Sequence, residues 1–341
     1  MARRTGLTDQ SISRIVGGLV ARGLCEFGEP LPSAGKGPAA LSVHLKADAL
    51  YTVGISLMTD AVSVMLMNFA GEALRIDVIR PDDMSRPTVL EAVITWVSHC
   101  CNQLNLDRGR LLGAGVAITG YFIGEGSQVN PPRGLDDWAL IDISELFGRA
   151  LGLPIWVDND GNAAAVGEQM NGAGRWANSF AYLYFAAGFG GGLIADGQPF
   201  RGAHGNAGEF ASVLPADWVS PTLERLRSLM AEGGRRYASL TDMVEHFQLS
   251  APGVEQWLHE AARAISLVVS AISAISDPDA IVLGGRLPKA LGEQLIPRLV
   301  FQNPPRRMRP RPMPSIVCAE ASGDASVTGA ATLPLKALFF S

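Results

Sequence analysis

Apolar and polar residues follow two different periods along the chain, and the change between them separates a short head from a long body. Over residues 9–20, apolar side chains recur every three or four positions, which predicts an amphipathic helix with one buried stripe. The stripe consists of Ile12, Ile15, Val16, Leu19 and Val20. Thr8 is a good N-cap for this helix, and a turn-rich segment over residues 30–40 separates two short apolar strand candidates. Gly6 and Leu7 end a shorter helix before this one, so we expect helix, tight turn, helix over residues 2–24, followed by a hairpin.

The body contains two segments of similar pattern, about 130 residues apart. Residues 51–66 and 180–194 each predict a strand, a tight turn and a second strand. Each hairpin is followed by a helical period and then by a short apolar run. These are residues 89–104 with 113–118, and residues 258–275 with 280–283. Hairpins followed by helix–strand units predict an α/β body with mixed sheets, and the repetition predicts two related lobes with a cleft between them.

The composition indicates a folded protein of more than one domain. Of the 341 residues, 48% are hydrophobic and 18% are charged, which allows a sizeable core and excludes a largely disordered chain. The longest uncharged apolar stretch, residues 264–276, is too short to span a membrane, and the N-terminus runs polar where a signal peptide would be apolar. The four cysteines show no disulfide or zinc spacing. We therefore expect a cytoplasmic protein without a membrane partner.

The head is basic although the chain is acidic. Residues 1–46 carry six Lys/Arg and three Asp/Glu, a balance of +3 in a chain of net charge −5, so any nucleic-acid contact is expected there. The candidate DNA-contacting residues are Thr8, Gln10, Ser11 and Arg14 on the helix and Lys36 at the predicted tip of the hairpin. They suit a winged helix-turn-helix, although an ordinary helical hairpin has the same helical pattern. A helix normally precedes this pair, and we expect it to be missing or encoded upstream.

Five segments resemble the motifs of the ROK family, which contains repressors and sugar kinases of the actin-like ATPase superfamily. The segments are TGLTDQSISRIV at 5–16, VDNDGNAA at 157–164, GFGGGLIADG at 188–197, RGAHGNAGE at 201–209 and PDAIVLGG at 278–285. The resemblance implies a two-lobed actin-like ATPase (ribonuclease-H-like) α/β fold with a small N-terminal winged helix-turn-helix, nearest the repressor branch. The implied boundaries are 1–46 for the head, 47–160 with 320–341 for the N-terminal lobe, and 161–319 for the C-terminal lobe.

Polar residues follow a predicted short strand over residues 154–157. Asn159 and Asp160 stand at its carboxyl end, where ligands bind in α/β sheets, although by themselves they also suit a helix N-cap. The resemblance implies that Asp160 is a general base toward a sugar hydroxyl, now vestigial. It also implies that Asn159 and Glu209 bind the sugar and that Glu224 matches a further sugar-binding glutamate. The chemistry is reasonable, because carboxylates accept hydrogen bonds from hydroxyls and amides both donate and accept.

The chain departs from the family pattern where the family binds zinc. Ala211 and Ser212 stand where the family has Gly-His, and no cysteine lies between residues 101 and 318. Because thiolate ligands are lacking, we expect no structural zinc.

The phosphate-binding turns depart as well. Family kinases have Asp-x-Gly-Gly-Thr after the first strand, with the aspartate organising Mg²⁺, whereas this chain has Ser56, Leu57 and Met58 there. The family's Gly-Thr-Gly becomes Ala-Ala-Gly at 186–188. The glycines that resemble a nucleotide-binding remnant are Gly190, Gly191, Gly192, Gly284 and Gly285, although glycines also serve tight packing. Phosphoryl transfer depends on positioning phosphate and metal, so we predict no phosphorylation and no ATP or Mg²⁺ cofactor.

Together these features predict a sugar-responsive transcriptional regulator. Its expected partners are a sugar or amino sugar, operator DNA and further copies of itself, as a homodimer or homotetramer. Two alternatives remain open. An active ATP-dependent sugar kinase of the same family is favoured by Asp160 and the surviving glycines, and a sugar sensor that has lost DNA binding is favoured by the missing first helix.

Overall fold

The computed structural model describes residues 5–30, 41–124, 126–302, 311–321 and 324–339. The strands are β1 (Cys25–Pro30), β2 (Leu41–Leu45), β3 (Tyr51–Leu57), β4 (Val62–Asn68), β5 (Ala73–Ile79), β6 (Leu111–Ile118), β7 (Tyr121–Phe122), β8 (Val129–Asn130), β9 (Ile155–Asn159), β10 (Phe180–Phe185), β11 (Phe189–Ala195), β12 (Gln198–Phe200), β13 (Ala280–Gly285) and β14 (Ser315–Cys318). The helices are α1 (Asp9–Ala21), α2 (Arg86–Gln103), α3 (Ile143–Leu151), α4 (Asp160–Asn171), α5 (Leu223–Glu232), α6 (Leu240–Glu245), α7 (Val254–Ile275), α8 (Lys289–Leu295) and α9 (Ala325–Phe339).

The described part of the head consists of α1 and the antiparallel hairpin of β1 and β2, which match the second predicted helix and the predicted hairpin. Residues 1–4 of the first predicted helix lie outside the described residues. The hydroxyl of Thr8 accepts the backbone N–H of Ser11 at 3.2 Å, so Thr8 is the N-cap. The predicted stripe is covered in part, because Val16 is its one buried member and Ile15 is 47% exposed. The hairpin on which α1 packs covers Val16 but leaves Ile15 in solvent.

The two large sheets have the same strand order and the same mixture of directions. The first is ordered β5-β4-β3-β6-β9 and the second β12-β11-β10-β13-β14. In each, the first three strands along the chain pair antiparallel and the next two join in parallel. The predicted internal repeat is therefore confirmed. We call the first sheet with α2 and α3 the first lobe, and the second sheet with α5 to α8 the second lobe.

Helices α4 and α9 join the lobes. Helix α9 packs on β3 and β6 of the first sheet, and α4 packs on β11 of the second. The two helices touch each other through backbone, since a Cβ on Gly329 would lie 1.7 Å from the carbonyl oxygen of Ala163 and one on Gly167 would lie 2.1 Å from that of Ala325. Glycine is therefore required at this crossing.

Helix α7 is long and apolar enough to cross a membrane by length and composition alone. In the part of the chain that the structure describes it is the one helix with this property, and it lies in the second lobe's core. Trp257 and Ile265 are fully buried there, and the Trp257 ring packs edge-on against Phe185 at 6.3 Å. The apolar character of α7 is thus explained by packing within the lobe.

Candidate functional site

A cavity of about 260 Å³ opens at the carboxyl ends of β6 and β9. These strands are parallel neighbours, with Ile118 opposite Asn159, so the residues that follow them meet at one edge of the sheet. The second lobe contributes the opposite wall. The lining residues are Thr119, Gly120, Tyr121, Asn130, Pro131, Pro132, Asn159, Asp160, Tyr184, Ala186, Gly188, Phe189, Gly190 and Glu209. The structure therefore brings together Asn159, Asp160 and Glu209, three of the residues predicted to bind sugar. Gly190, predicted as part of a nucleotide-binding remnant, lines the same cavity.

Asp160 begins α4 and is 6% exposed. One carboxylate oxygen accepts the hydroxyl of Thr119 at 2.5 Å, and the other accepts the backbone N–H of Gly161 at 2.9 Å. Burial raises the pKa of Asp160 to about 6, aided by the negative charges of Glu209 and Asp324 and opposed by the two hydrogen bonds. A carboxyl group that titrates near neutral pH can accept or release a proton at a hydroxyl facing it.

Asn159 is the N-cap of α4. Its amide oxygen accepts the backbone N–H groups of Gly161 at 2.8 Å and Asn162 at 3.3 Å, and its NH₂ group donates to the carbonyl oxygen of Gly120 at 2.8 Å. Asn159 is therefore a helix N-cap, as the alternative interpretation predicts, and it also lines the cavity. An NH₂ group has two donors, so one N–H of Asn159 remains for a ligand.

Glu209 reaches the cavity from the loop that follows β12 of the second sheet, and this loop bonds residues at the end of the first sheet. Arg201 pairs with buried Asp158 at 2.7 Å, and the Asn206 amide bonds the backbone N–H and C=O of Phe122 at 2.8 and 2.9 Å. Burial raises the pKa of Glu209. The negative charge of Glu209 also contributes to the raised pKa of Asp160.

Glu224 does not lie at the cavity. It sits in the first turn of α5, and its carboxylate is ion-paired with Arg227 three residues on. His204 is exposed on the loop before Glu209. The family resemblance implies that Glu224 binds the sugar, but in this structure Glu224 lies outside the cavity.

Four of the five candidate nucleotide-binding glycines serve packing. Gly192 lets α4 approach β11, since a Cβ on Gly192 would lie 2.8 Å from the carbonyl oxygen of Gly161. Gly191 lets β11 lie close to β10, since a Cβ on Gly191 would lie 1.9 Å from the carbonyl oxygen of Tyr182. Gly284 lies against the Tyr182 hydroxyl, which accepts the backbone N–H of Gly285 at 2.8 Å. That amide is therefore occupied by the protein's own side chain.

Polar side chains fill the region where the family resemblance puts phosphate and Mg²⁺. We call Ser56, Tyr184, Asp324 and Ser326 the Ser56 cluster. The Ser326 hydroxyl donates to Asp324 at 2.6 Å, and the fully buried Ser56 hydroxyl bonds that of Ser326 at 2.6 Å. Tyr184 is also hydrogen-bonded to Ser326, and burial raises its pKa.

The turn after β3 does not fit a magnesium nucleotide. Leu57 packs in the core of the first lobe, Met58 is 7% exposed, and residues 56–60 include no glycine that would let backbone amides approach phosphate. The serine that replaces the metal-organising aspartate is already hydrogen-bonded. One carboxylate oxygen of Asp324 is buried without a partner among the described residues, but the metal-organising residue and the glycine turn that phosphoryl transfer needs are lacking here.

An ion pair spans the cleft beside the Ser56 cluster. Asp60, in the turn after β3, pairs with Arg286 of the second lobe at 2.8 Å and accepts the backbone N–H of Thr241 in α6 at 2.6 Å. Arg286 also donates to the Thr241 hydroxyl at 2.6 Å. Burial alone would raise the pKa of Asp60, but the Arg286 charge and these hydrogen bonds outweigh it and lower the pKa. We call Asp60, Thr241 and Arg286 the interlobe bridge.

The candidate DNA-contacting residues lie at the N-terminal end of α1. Gln10 and Arg14 are exposed, and the Ser11 hydroxyl accepts that of Thr8 at 2.9 Å. Lys36 lies outside the described residues. The start of α1 thus presents exposed polar side chains to solvent.

Sequence reasoning missed Thr119, Tyr184 and the interlobe bridge. Thr119 had a detectable signal, since it follows the apolar run that became β6, beside the strand that ends at Asn159. Tyr184 lies in an apolar strand, and Asp60 and Arg286 are 226 residues apart. Their roles arise from tertiary packing and had no local signal.

Comparison with curated proteins gives an uncharacterized protein, an enzyme and a repressor as relatives. The chain is 27% identical to the uncharacterized protein y4fQ of Sinorhizobium fredii, over 100% of this chain and 87% of that protein. It is 34% identical to the bifunctional enzyme NanE/NanK of Brucella suis, over 72% of this chain and 47% of that enzyme. It is 26% identical to the xylose repressor of Bacillus subtilis, over 61% and 54%. The chain spans about half the length of the enzyme and of the repressor.

Solved structures share the fold. A ROK family transcriptional regulator, a homologue of the E. coli MLC protein, has a TM-score of 0.69 at 16% identity, covering 98% of this chain and 90% of that one. A ROK family glucokinase from Streptomyces griseus, in complex with glucose and AMPPNP, has a TM-score of 0.67 at 21% identity, covering 83% and 98%. Residues 52–217 match the ROK family itself. The chain belongs to the ROK family, in which both repressors and sugar kinases are its relatives.

Proposed function

We propose that this protein is a transcriptional regulator that binds a sugar in the cavity beside Asp160 and does not phosphorylate it. The observation that carries the proposal is the Ser56 cluster, whose buried hydrogen bonds occupy the region needed for phosphate and metal. The bond between Tyr182 and the Gly285 amide supports it further. Binding needs only the cavity, whereas phosphoryl transfer needs both regions.

The cavity offers groups that suit a small polyol. Asp160 and Glu209 accept hydrogen bonds from hydroxyls, Asn159 donates, and Phe189 with Pro131 provides apolar walls for C–H groups. Its volume of about 260 Å³ lies just below the range of about 300–1,000 Å³ that holds drug-sized ligands. A monosaccharide or amino sugar matches these properties better than a larger glycan.

The cavity walls come from both lobes, which links binding to movement. Asp160 and Thr119 lie at the first sheet, whereas Glu209 and Gly190 belong to the second-lobe wall. A ligand that bonds both walls favours the closed arrangement by its difference in affinity for the open and closed states. Closure would then reorient the heads relative to two operator half-sites.

An active sugar kinase is the second candidate. The pKa of Asp160, about 6, suits a general base, and the 34% identity to NanE/NanK is higher than that to the xylose repressor. The test is ADP release from ATP and Mg²⁺ with a panel of aldoses and amino sugars, on protein shown by thermal shift to bind one of them. We expect no turnover above background. Turnover of about 1 s⁻¹ or faster, an ordinary kinase rate, would establish the kinase instead.

The DNA-binding part is tested separately. Footprinting on the promoter region beside the gene at low salt should show protection that weakens steeply as salt rises. Arg14→Ala should remove the protection, whereas Arg22→Ala, at the other end of α1, should reduce it only slightly. Loss of protection by both variants alike would indicate a nonspecific charge effect, and no protection by the wild type would favour the sensor that does not bind DNA.

A further inference from the structure

A groove of about 860 Å³ runs along one face of α7 in the second lobe. The α7 residues at positions 255, 259, 262, 263, 266 and 267 line it, and their helical spacing puts them on the same face. The other lining residues are Trp218, Arg298, Val300 and Gln302. Neither set lines the cavity beside Asp160, so the groove is a separate concave surface.

Arg263 is stacked on an indole ring in this groove. Its guanidinium carbon lies 4.0 Å from the centroid of the Trp218 ring, which is a cation–π contact. Trp218 follows Ala211 and Ser212, where the chain departs from the family pattern, and its backbone N–H donates to the carbonyl oxygen of Pro215 at 2.9 Å. The ring covers a face of the guanidinium, so the N–H groups at the guanidinium edge remain for a ligand.

The charge of Arg263 is not neutralised by any described residue. In the part of the chain that the structure describes, Arg263 contacts the indole ring and forms no hydrogen bond or ion pair. The carboxylates nearby on α7 are engaged by other arginines. Glu255 pairs with Arg298 at 2.6 Å, and Glu260 pairs with Arg225 at 2.9 Å. With its histidine neutral, the lining of the groove has two arginines and one glutamate, a formal charge of +1 in a chain of net charge −5.

The groove suits an organic molecule with an oxyanion head. The edge of a guanidinium matches two oxygens of a carboxylate or a phosphate and binds them by charge-assisted hydrogen bonds. Ala262, Leu267 and Val300 provide apolar surface beside Arg263, and Val300 is 61% exposed. The volume lies within the range of about 300–1,000 Å³ that holds small molecules. The groove therefore offers more room and more apolar surface than an inorganic ion would use.

We propose that this groove binds a small organic oxyanion, a carboxylate or a phosphate ester, with its head on Arg263 and its body on the apolar wall. The cavity beside Asp160 disfavours such a ligand, because Asp160 and Glu209 are carboxyl groups. The proposal therefore does not depend on which ligand occupies that cavity or on whether the protein phosphorylates it.

Calorimetry on the full chain with four probes tests the chemistry of the ligand. The probes are phenyl phosphate, benzoate, inorganic phosphate and benzyl alcohol, at low salt so that screening is weak. Phenyl phosphate or benzoate should bind at least about tenfold more tightly than inorganic phosphate or benzyl alcohol, because head and body both contribute. The tighter of the two identifies the head group. The proposal is overturned if neither binds or if benzyl alcohol binds as tightly, and equal binding of inorganic phosphate would indicate an adventitious ion only and overturn it too.

Variants of Arg263 test its role with the tighter probe. Arg263→Gln removes the charge and should weaken binding about tenfold to a hundredfold. Arg263→Lys keeps a charge without the planar fork and should recover only part of this loss. Arg235→Gln is the matched control, because Arg235 also lies over an aromatic ring, that of Tyr237 at 5.4 Å, and lies outside the groove. Equal losses in Arg263→Gln and Arg235→Gln would indicate a nonspecific charge effect and overturn the proposal.

Tryptophan fluorescence tests where the probe binds. The chain has six tryptophans, and Trp218→Phe removes the emission of one while keeping an aromatic ring beside Arg263. The emission of the wild type minus that of the variant isolates Trp218, and a saturating amount of the tighter probe should change this difference. A change confined to the emission that both proteins share would place the binding elsewhere and contradict the proposal.

Discussion

Two regions of the cleft, the cavity beside Asp160 and the Ser56 cluster, contain similar polar residues that differ in how far the protein itself satisfies their hydrogen bonds. Beside Asp160, carboxyl and amide groups face a cavity and keep hydrogen-bonding capacity that the protein does not use. In the Ser56 cluster, the hydroxyls of Ser56 and Ser326 are buried and bonded to each other and to Asp324, and one carboxylate oxygen of Asp324 is buried without a partner among the described residues. Buried polar groups find partners in folded proteins, so spare capacity at a cavity indicates a ligand, whereas hydroxyls that satisfy one another indicate structure. The following predictions test this contrast, from the largest expected effect to the smallest.

Ser56→Asp should be the most damaging change. It adds a carboxylate at a fully buried position, beside Ser326 and the carboxyl group of Asp324, and should lower the free energy of unfolding by about 3–5 kcal/mol. Ser56→Ala removes one hydrogen bond and should cost only about 1 kcal/mol. Urea unfolding measures both. If the aspartate is tolerated as well as the alanine and brings ATP turnover, the Ser56 cluster is a functional phosphate site.

Breaking the interlobe bridge should come next. Arg286→Ala leaves Asp60 without its cation, and with the pair 10% and 16% exposed we expect a loss of about 2–4 kcal/mol. The double variant with Asp60→Ala should recover part of this loss, which a double-mutant cycle measures. Because the pKa of Asp60 is lowered, the bridge should contribute at neutral pH and lose its effect as pH falls through that pKa. Simple additivity of the two losses would show that the pair is not coupled.

The titration of Asp160 should appear in the pH dependence of stability. The unfolded chain ionises this carboxyl near pH 3.9, whereas the folded protein does so at about 6. Between these values the folded state holds a proton that the unfolded state has lost, so stability falls as pH rises, by about 3 kcal/mol in total. Subtracting the curve of Asp160→Asn from that of the wild type isolates this term. A flat difference from pH 4 to 7 would contradict the raised pKa.

The smallest effect concerns ligand affinity. Asp160→Asn should weaken the binding of the sugar that best raises the melting temperature by about 1.5–3 kcal/mol, or tenfold to a hundredfold, because an amide cannot replace an accepting carboxylate. Glu224→Gln is the matched control, since Glu224 lies outside the cavity, and calorimetry should give unchanged affinity. An equal loss of affinity in both variants would show that Glu224 takes part in sugar binding.

The sequence predicts the fold well where local pattern and packing agree. The periods of the two hairpins and of their following helices correspond to β3, β4, β10 and β11 with their crossovers, because apolar alternation directly reflects which face is buried. The stripe of α1 is covered only in part, because amphipathic spacing shows that a face can be buried but not that a partner covers it. Ile15 belongs to the stripe and is nevertheless 47% exposed.

The candidate site was predictable in part for a related reason. Asn159 and Asp160 follow a strand, and a strand's carboxyl end is marked in sequence. The partners that set their chemistry come from elsewhere in the fold, as with Thr119 at Asp160 and Tyr182 at Gly285. A glycine motif in sequence does not show whether the glycines bind phosphate or allow close packing. For Gly191 and Gly192 the structure favours close packing, because backbone atoms lie where a Cβ would be.

The backbone crossing of α4 and α9 has a mechanical consequence. At Gly329 and Gly167 the two helices are in contact through their backbones, and further along they are joined by the side chains of Thr332 with Met170 and of Lys336 with Gln169. We therefore expect the crossing to act as a pivot, with the lobes as its lever arms. Displacement grows with distance from a pivot, so a rotation of a few degrees is nearly invisible at the glycines and largest at the rim of the cleft. A side chain added at the crossing would act as a wedge, spreading the lobes without touching any residue of the cavity.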